Sequence, residues 1–364
     1  MTRARSFLEP RLVVQTWLAS RGLVLLALLI VLLSTRRRLS DALSGWDVQH
    51  FLAIARDGYA DPQNMAFFPA LPAVMGSLAV VGIPPLVTGE LLALTGSALA
   101  AWALYRLGGV LPAVFWLIAP MTVFTAVPYT EAPFAAAAFW AWERALSRNW
   151  LQAALLAAIA CAFRVSGVFL VVALVILAVY QKGRSLPRLV LLLLPTAVVL
   201  GYLAFLHGLT GSWTAWFDAQ SQGWSRRGIH SPVEAFLTTL AAAHPSYWPP
   251  GQKLVAVMFA CEIVTVALGT ATTIWCLVRR EWPEAAFVGT QVLVFATSYW
   301  WMSSNRALLL WFPLFLLLAD LATRRPRSQL GRLLWTGFVA VGVAASCVAV
   351  VGWSWLFFSG HWAS

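Results

Sequence analysis

Apolar stretches close to membrane-spanning length recur along most of this chain, and they limit its possible folds more than any other feature. Separated at glycines, prolines and charged residues, the candidate spans cover 14–34, 86–106, 109–126, 131–147, 150–163, 165–180, 187–206, 254–278, 285–301, 307–322 and 333–357. A helix needs ~20 mainly apolar residues to cross a bilayer. Only 11% of the 364 residues are charged, against about 25% in soluble domains. The sequence therefore predicts an all-α polytopic membrane protein with about eleven transmembrane helices, and it excludes a soluble globular protein.

The segment 67–81 decides the orientation of every later span. It is apolar, but it contains Pro69 and Pro72 and is shorter than the ~17 residues that a span needs. If it stays on the membrane surface and the N-terminus is cytoplasmic, fifteen Lys and Arg lie inside and nine outside. Cytoplasmic loops carry the excess of basic residues. We therefore expect a single integral membrane domain, 1–364, with two long outer loops at 35–85 and 207–253.

The net charge of +11 does not indicate a nucleic-acid partner, because the basic residues lie in short clusters between apolar runs. Arg36, Arg37 and Arg38 oppose the inside-positive pattern, and the sequence offers no account of them. All four cysteines lie in apolar stretches and suit packing. The chain has no phosphate-loop, zinc-protease or Asp-x-Asp motif. We expect no tightly bound metal, and a weak divalent-ion site at Asp47 with a second acid stays open.

The first long loop contains an acid and an imidazole at helical spacing. If 46–56 is helical, Asp47 and His50 are neighbours on one face and suit shared proton transfer. Alternatively, Asp47 is the N-cap or a first-turn acid of this helix, and His50 is an interfacial packing residue. The spacing alone leaves both interpretations open.

The residue pattern around this pair resembles the first outer loop of the PIG-V mannosyltransferase family and its bacterial relatives. It is Trp46-Asp47-x-x-His50-Phe51-x-x-Ile54-Ala55-x-x-Gly58-Tyr59, followed by Ala66-Phe67-Phe68-Pro69-x-x-Pro72. Similar stretches follow at Pro128-Tyr129-Thr130-Glu131, Arg164-Val165-Ser166-Gly167 and Trp216-Phe217-x-x-Gln220-x-x-Gly223-Trp224-x-Arg226. The first motif is specific, and the others are weaker.

This resemblance implies a GT-C glycosyltransferase whose first outer loop carries interfacial helices and the catalytic acid. Asp47 then is the general base that takes the acceptor proton, with Glu131 as a second acid or an acceptor contact. The implied co-substrate is polyprenyl-phosphate mannose, and the configuration at the anomeric carbon of the sugar inverts in a single displacement. The substrate-binding candidates are Trp46, His50, Arg56, Tyr59, Phe68, Tyr129, Arg164, Gln220, Trp224, Arg226 and Arg306.

Two of these charged residues, and Glu262 in addition, have more than one interpretation. Arg164, between two apolar runs, either faces a polar cavity or extends to the lipid headgroups. Glu131 stands where it would stabilise the N-terminus of its own helix. Glu262 lies inside a candidate span, where it either hydrogen-bonds within the bundle or lines the donor groove. Anchoring at the interface is the simpler role for the tryptophans of the second loop.

The partners implied are membrane lipids, the prenyl-linked donor and an acceptor glycolipid, lipoglycan or glycoprotein. The Ala-, Arg-, Leu- and Trp-rich composition is typical of a GC-rich bacterium, so we expect the plasma membrane, with the site on its outer face. A secondary transporter and a non-catalytic envelope-assembly protein are the alternatives. The chain shows no internal repeat of the kind that many transporters carry, and a scaffold would tolerate a carboxylate-to-amide change at Asp47.

Overall fold

The computed structural model describes residues 2–226, 228–324 and 326–363, and within them all regular structure is helical. The α-helices are α1 Thr2–Thr35, α2 Leu39–Leu43, α3 Asp47–Asp57, α4 Ala70–Ala79, α5 Pro85–Gly108, α6 Val110–Leu117, α7 Glu131–Leu146, α8 Trp150–Phe163, α9 Gly167–Tyr180, α10 Leu186–Leu191, α11 Leu193–Thr210, α12 Ala215–Trp224, α13 Pro232–Ala242, α14 Leu254–Val278, α15 Trp282–Ala296, α16 Ser304–Ala307, α17 Phe312–Ala322 and α18 Gln329–Ser359. Short 3₁₀ turns lie at Pro62–Ala66, Thr122–Thr125, Pro245–Tyr247, Pro250–Gln252 and Leu308–Leu310. Arg227 and Arg325, which enter the charge comparison, lie outside the described residues.

Five of the described helices are long and apolar enough to cross a membrane. They are Glu9–Thr35, Pro85–Gly108, Leu186–Thr210, Leu254–Val278 and Gln329–Ser359. Ser304–Leu310 and Phe312–Ala322 make a sixth if this pair, bent by 76°, is one broken span. The structure is thus compatible with a polytopic membrane protein, whereas the prediction of eleven spans is not confirmed. Helices α8 and α9 have 14 residues each, a rise of about 21 Å, which is less than the ~30 Å hydrocarbon core.

The stretch 109–126 differs from its prediction as one continuous span. Helix α6 ends at Leu117, and a separate 3₁₀ turn follows at Thr122–Thr125. Pro120 has no backbone N–H to continue the helix, and the Thr122 hydroxyl donates to the carbonyl oxygen of Leu117 at 2.9 Å. The chain therefore turns through 118–130 inside the protein and enters α7 at Glu131.

Helix α7 is the centre of the bundle and is buried over nearly its whole length. Phe134, Phe139 and Trp142 are fully buried on it. Gly96 of α5 lies against the backbone of Ala132, so close that a Cβ at Gly96 would come within 2.8 Å. Small residues at helix contacts allow such an approach. This packing fixes the N-terminus of α7 deep in the protein, at the level where the two long loops meet.

The two long loops pack against each other. The first loop carries α2, α3, the turn Pro62–Ala66 and α4, and α4, with only ten residues, is too short to span a bilayer. The indole of Trp216 and the side-chain amide of Gln220, both on α12, donate to the carbonyl oxygen of Ala66 at 3.3 Å. The hydroxyl of Tyr202, on α11 before the second loop, also holds the first loop: it shares its proton between the carbonyl oxygens of Met65 and Phe67, at 2.9 and 2.7 Å. The loops therefore form one layer over the end of the bundle.

Candidate active site

Asp47 begins α3 after a residue in an unusual backbone conformation. Trp46 has φ +56° and ψ −126°, a region that costs a non-glycine residue of order 1–3 kcal/mol and is typical of functional sites. The carboxylate oxygen Oδ2 of Asp47 accepts a hydrogen bond from Nη1 of Arg306 at 2.5 Å. Its Oδ1 has no hydrogen-bond partner among the residues that the structure describes. One oxygen of this carboxylate is therefore available for a ligand.

Glu131, at the first position of α7, is completely buried. Its Oε1 accepts from Nη1 of Arg164 at 2.6 Å and lies 3.7 Å from Nε of Arg306. The same Nη1 of Arg164 donates to the hydroxyl of Thr130 at 2.8 Å. Arg164 follows the last residue of α8 in an extended conformation, φ −155° and ψ 149°, which turns the chain toward α9. Glu131 is thus a buried partner of two arginines at the start of its helix.

Arg306 connects the two acids. Its guanidinium lies over the rings of Tyr129 and Phe124, with 5.3 and 5.6 Å between the guanidinium carbon and the ring centroids. Aromatic faces attract a cation. The Tyr129 hydroxyl accepts from the backbone N–H of Asp47 at 3.2 Å. Burial, and secondly the charge of Asp47, raise the pKa of Tyr129 well above its ordinary value, so this residue remains a neutral phenol.

Arg226, in the second long loop, lies beside the same group of charged side chains. Its Nη1 donates to the side-chain oxygen of Gln220 at 3.1 Å, and its Nη2 to the carbonyl oxygen of Met302 at 3.3 Å. Burial, followed by repulsion from Arg306 and Arg164, lowers the pKa of Arg226 to about 10. An anion bound among these arginines would relieve that repulsion.

A cavity of about 450 Å³ opens beside these residues and has two chemically different parts. Four charged side chains line its polar part, three of them guanidinium groups: Asp47, Arg164, Arg226 and Arg306. The rest of the wall is largely apolar and includes Phe163, Phe169, Val199, Leu203, Val294 and Phe295. The excess of positive charge suits an anionic group, and the apolar wall suits a hydrocarbon attached to it.

The remaining predicted residues divide into two sets. Phe68, Gln220 and Trp224 line the cavity. His50 does not: its Nδ1 lies 2.9 Å from Oδ1 of Asn64, and its ring stacks on Phe67 with 4.9 Å between centroids. His50 and Asp47 share a helix, as the sequence predicts, but each side chain has a different partner.

Arg56, Tyr59 and Trp46 lie away from the cavity wall. Arg56 is 78% exposed and pairs with Asp57. The Tyr59 hydroxyl donates to the carbonyl oxygen of Phe67 at 2.9 Å, and burial raises the pKa of Tyr59 to about 12. Trp46 is exposed, and its side chain is not part of the cavity wall. Arg56 and Trp46 thus lie apart from the other predicted residues, whereas Tyr59 packs in one hydrophobic cluster with Phe68 and Trp224.

Sequence reasoning missed Thr130 and Asn64, which orient Arg164 and His50. Both stand inside or beside the quoted motifs, so their position in the sequence is the signal that would have identified them. Over the described ranges, no group of three or more His, Cys, Asp or Glu is placed to hold a metal ion. Asp47 and Glu131 are engaged by arginines instead.

No family model matches the chain. Three rodent proteins named GPI alpha-1,6-mannosyltransferase 2 are similar to part of it, each over 149 residues: that of Mus musculus is 36% identical, that of Rattus norvegicus 35% and that of Cricetulus griseus 34%. Each alignment covers 35% of this chain and 30% of the relative. The similarity thus covers less than a third of the relatives' length, and over that part the chain is similar to mannosyltransferases.

Proposed function

We propose that the chain is an inverting mannosyltransferase of the GT-C type. It moves mannose from a polyprenyl-phosphate donor to a hydroxyl group of a membrane glycolipid, lipoglycan or protein. The observation that carries this proposal is the single carboxylate of Asp47, with one free oxygen, in a cavity wall that otherwise carries three arginines. The partial similarity to three mannosyltransferases supports the class of reaction.

The reaction needs a base and a site for a leaving phosphate, and the cavity offers both. Asp47 takes the proton of the acceptor hydroxyl as its oxygen bonds to the anomeric carbon. The bond from that carbon to the phosphate oxygen breaks on the opposite face, and its electron pair stays on the phosphate. A positioned base contributes typically 10²–10⁴ in rate, and guanidinium groups are well suited to phosphate.

The apolar wall of the cavity accounts for a lipid-borne donor. A prenyl chain attached to the phosphate would lie against Phe163, Phe169 and Phe295, in direct continuation of the arginines. Burying such a chain is favourable by roughly 25 cal/mol per Å² of apolar surface. A nucleotide-linked sugar would instead place a polar base on these aromatic and aliphatic side chains.

Orientation follows from charge. If the shorter helices and the bent pair α16–α17 also cross, giving about eleven crossings, the arrangement of Lys and Arg supports a cytoplasmic N-terminus. The layer formed by the two long loops then lies on the outer face of a bacterial plasma membrane. A polyprenyl-phosphate donor suits that face, where soluble activated sugars are scarce.

The test is mannose transfer by the purified full chain in detergent, from polyprenyl-phosphate mannose to a membrane lipid extract. Asp47→Asn keeps the size of the side chain and one acceptor for Arg306, so we expect the protein to fold and kcat to fall by about 10²–10⁴. Asp57→Asn is the matched control, because Asp57 ends the same helix and pairs with exposed Arg56 away from the cavity. It should leave the rate unchanged, and a chelator should also leave it unchanged.

Two results would contradict the proposal. A rate within tenfold of wild type in Asp47→Asn would remove Asp47 as the base and direct attention to Glu131. No transfer by the wild-type protein from any prenyl-linked mannose, to any lipid or protein acceptor, would reject the mannosyltransferase function and favour a transporter or a scaffold.

A further inference from the structure

Glu262 is a completely buried carboxylate in the middle of α14, and it has no part in the chemistry above. It accepts three hydrogen bonds, all from one short segment. The donors are the backbone N–H of Ser303 at 2.9 Å, the hydroxyl of Ser304 at 2.5 Å and the backbone N–H of Asn305 at 2.6 Å. A carboxylate with this many donors is a strong anchor, because charge-assisted hydrogen bonds are roughly twice as strong as neutral ones.

The anchored segment is the N-terminus of α16, which does not cap itself. Ser303 precedes α16 in the left-handed conformation, φ +71° and ψ 10°, and its side chain makes no capping hydrogen bond. The first N–H groups of a helix need an acceptor, usually from the residue before it. Here Glu262 supplies that acceptor from a neighbouring helix.

Asn305 adds a second attachment to α14. Its side-chain oxygen accepts from the hydroxyl of Thr265 at 3.0 Å, and its side-chain nitrogen donates to the carbonyl oxygen of Met258 at 3.1 Å. Residues 303, 304 and 305 are therefore each bound to α14. The next residue is Arg306, the only described side chain that forms ion pairs with both Asp47 and Glu131.

We propose that Glu262 is a positioning residue for Arg306. By capping α16, it holds the guanidinium of Arg306 between Asp47 and Glu131, at the wall of the cavity in which we propose that the phosphate binds. This inference rests on the proposed function, since it assigns Arg306 to the leaving phosphate. A helix advances 1.5 Å per residue, so a small slip of α16 would separate Nη1 of Arg306 from Oδ2 of Asp47. Misplacement by about 1 Å can cost 10²-fold in rate.

A double-mutant cycle distinguishes positioning from general support of the fold. Glu262→Gln leaves one side-chain oxygen for three donors. Arg306→Lys replaces the guanidinium group with a single ammonium group. Each single variant should lower kcat/KM for polyprenyl-phosphate mannose by about 10²-fold. If Glu262 acts through Arg306, the double variant should be no more than about threefold worse than Arg306→Lys alone, because coupled residues are non-additive. Losses that multiply would overturn the inference.

Glu143→Gln is the matched control for burial of a glutamate. Glu143 is also buried and paired with arginines, Arg106 and Arg144, but it lies three turns along α7 from Glu131. Its variant should lose thermal stability while keeping kcat/KM within about threefold of wild type. An equal loss of kcat/KM in Glu143→Gln would mean that any buried glutamate matters, and would overturn a specific role for Glu262.

A milder variant covers the case in which Glu262→Gln does not fold. Thr265→Val has nearly the same shape and removes only the hydroxyl that binds Asn305. It should lower kcat/KM about threefold in the wild-type protein and not at all in the Arg306→Lys background. The same relative loss in both backgrounds would overturn the inference.

A binding measurement separates failure of this inference from failure of the proposed function. Farnesyl phosphate is a short prenyl phosphate whose binding is measured by thermal stabilisation of the purified protein. Its Kd should rise about tenfold in Glu262→Gln and in Arg306→Lys, and no further in the double variant. This pattern would support the positioning role even if wild type transferred no mannose. An unchanged Kd in Glu262→Gln would overturn it even if transfer were observed.

Discussion

The ion pair between Glu131 and Arg164 allows a test of the folded structure that does not depend on enzyme activity. Glu131 is completely buried, and 20% of the Arg164 side chain is exposed. If Arg164 is replaced by Met, the one ion pair left to the carboxylate among the described residues is the longer contact of 3.7 Å with Arg306. Removing one partner of a buried pair costs about 3–5 kcal/mol. We expect Arg164→Met to lose about 3 kcal/mol, because the partial exposure of Arg164 places it at the low end of that range.

A second substitution, Glu131→Gln, tests whether the two residues are energetically coupled, because its effect on the free energy of unfolding should change sign when Arg164 is absent. Glu131→Gln in the wild-type protein removes a paired charge but keeps an acceptor for Arg164, so it should cost about 1 kcal/mol. In the Arg164→Met background the same change removes an uncompensated buried charge, and it should restore about 2 kcal/mol. The glutamine is therefore destabilising beside Arg164 and stabilising without it.

The assay is reversible unfolding in mixed micelles of SDS and a mild detergent, followed by the fluorescence of the 20 tryptophans. Arg56→Met is the control, because Arg56 belongs to an exposed pair with Asp57 and should give no measurable change. If Glu131→Gln lowers the free energy of unfolding equally in both backgrounds, the pair carries no coupling and the reasoning is refuted.

Two further predictions concern how the bundle holds the site. Arg21 of α1 donates to the carbonyl and hydroxyl oxygens of Thr125 at 2.7 and 3.0 Å. Arg21→Met should therefore lower the free energy of unfolding by about 1–3 kcal/mol in the same micelle assay. No loss would mean that the turn 122–125 is stable without these hydrogen bonds. Gly167 packs against the backbone of Cys161, and a Cβ at position 167 would lie 2.6 Å from the Cα of Cys161. Gly167→Ala should therefore separate α8 from α9. It should lower the midpoint temperature of thermal unfolding and weaken the binding of farnesyl phosphate. Gly201→Ala, where nothing lies within 4 Å, is its control, and equal effects at both glycines would contradict the close packing.

Local patterns in the sequence predicted local structure well. Helical spacing placed Asp47 and His50 on one short helix, which the structure has as Asp47–Asp57. The break between two apolar runs placed Arg164 at a helix end, which it occupies after Phe163. The short, proline-containing segment 67–81 became a helix of ten residues. These features depend on neighbours within a few residues, where propensity and periodicity apply.

The contacts that make the site could not be predicted in this way. Asp47 and Arg306 are 259 residues apart, and no periodicity links them. Their pairing depends on a turn that Glu262 caps from another helix. Arg37 is a similar case: it opposes the charge pattern, yet its Nη1 donates to the carbonyl oxygen of Phe358 at 2.9 Å, at the end of α18. A buried or interfacial charge has a partner that only the tertiary fold reveals.

The order in which the charged residues occur along the chain has a consequence for membrane insertion. Asp47 and Glu131 are synthesised first, Arg164 follows, and Arg306 comes only after α14 and α15. Until the ribosome has passed residue 306, Asp47 lacks the arginine that pairs with it in the finished protein. The ion pair between Asp47 and Arg306 therefore forms only after α14 and α15 have been synthesised, so the site is completed late in the synthesis of the chain.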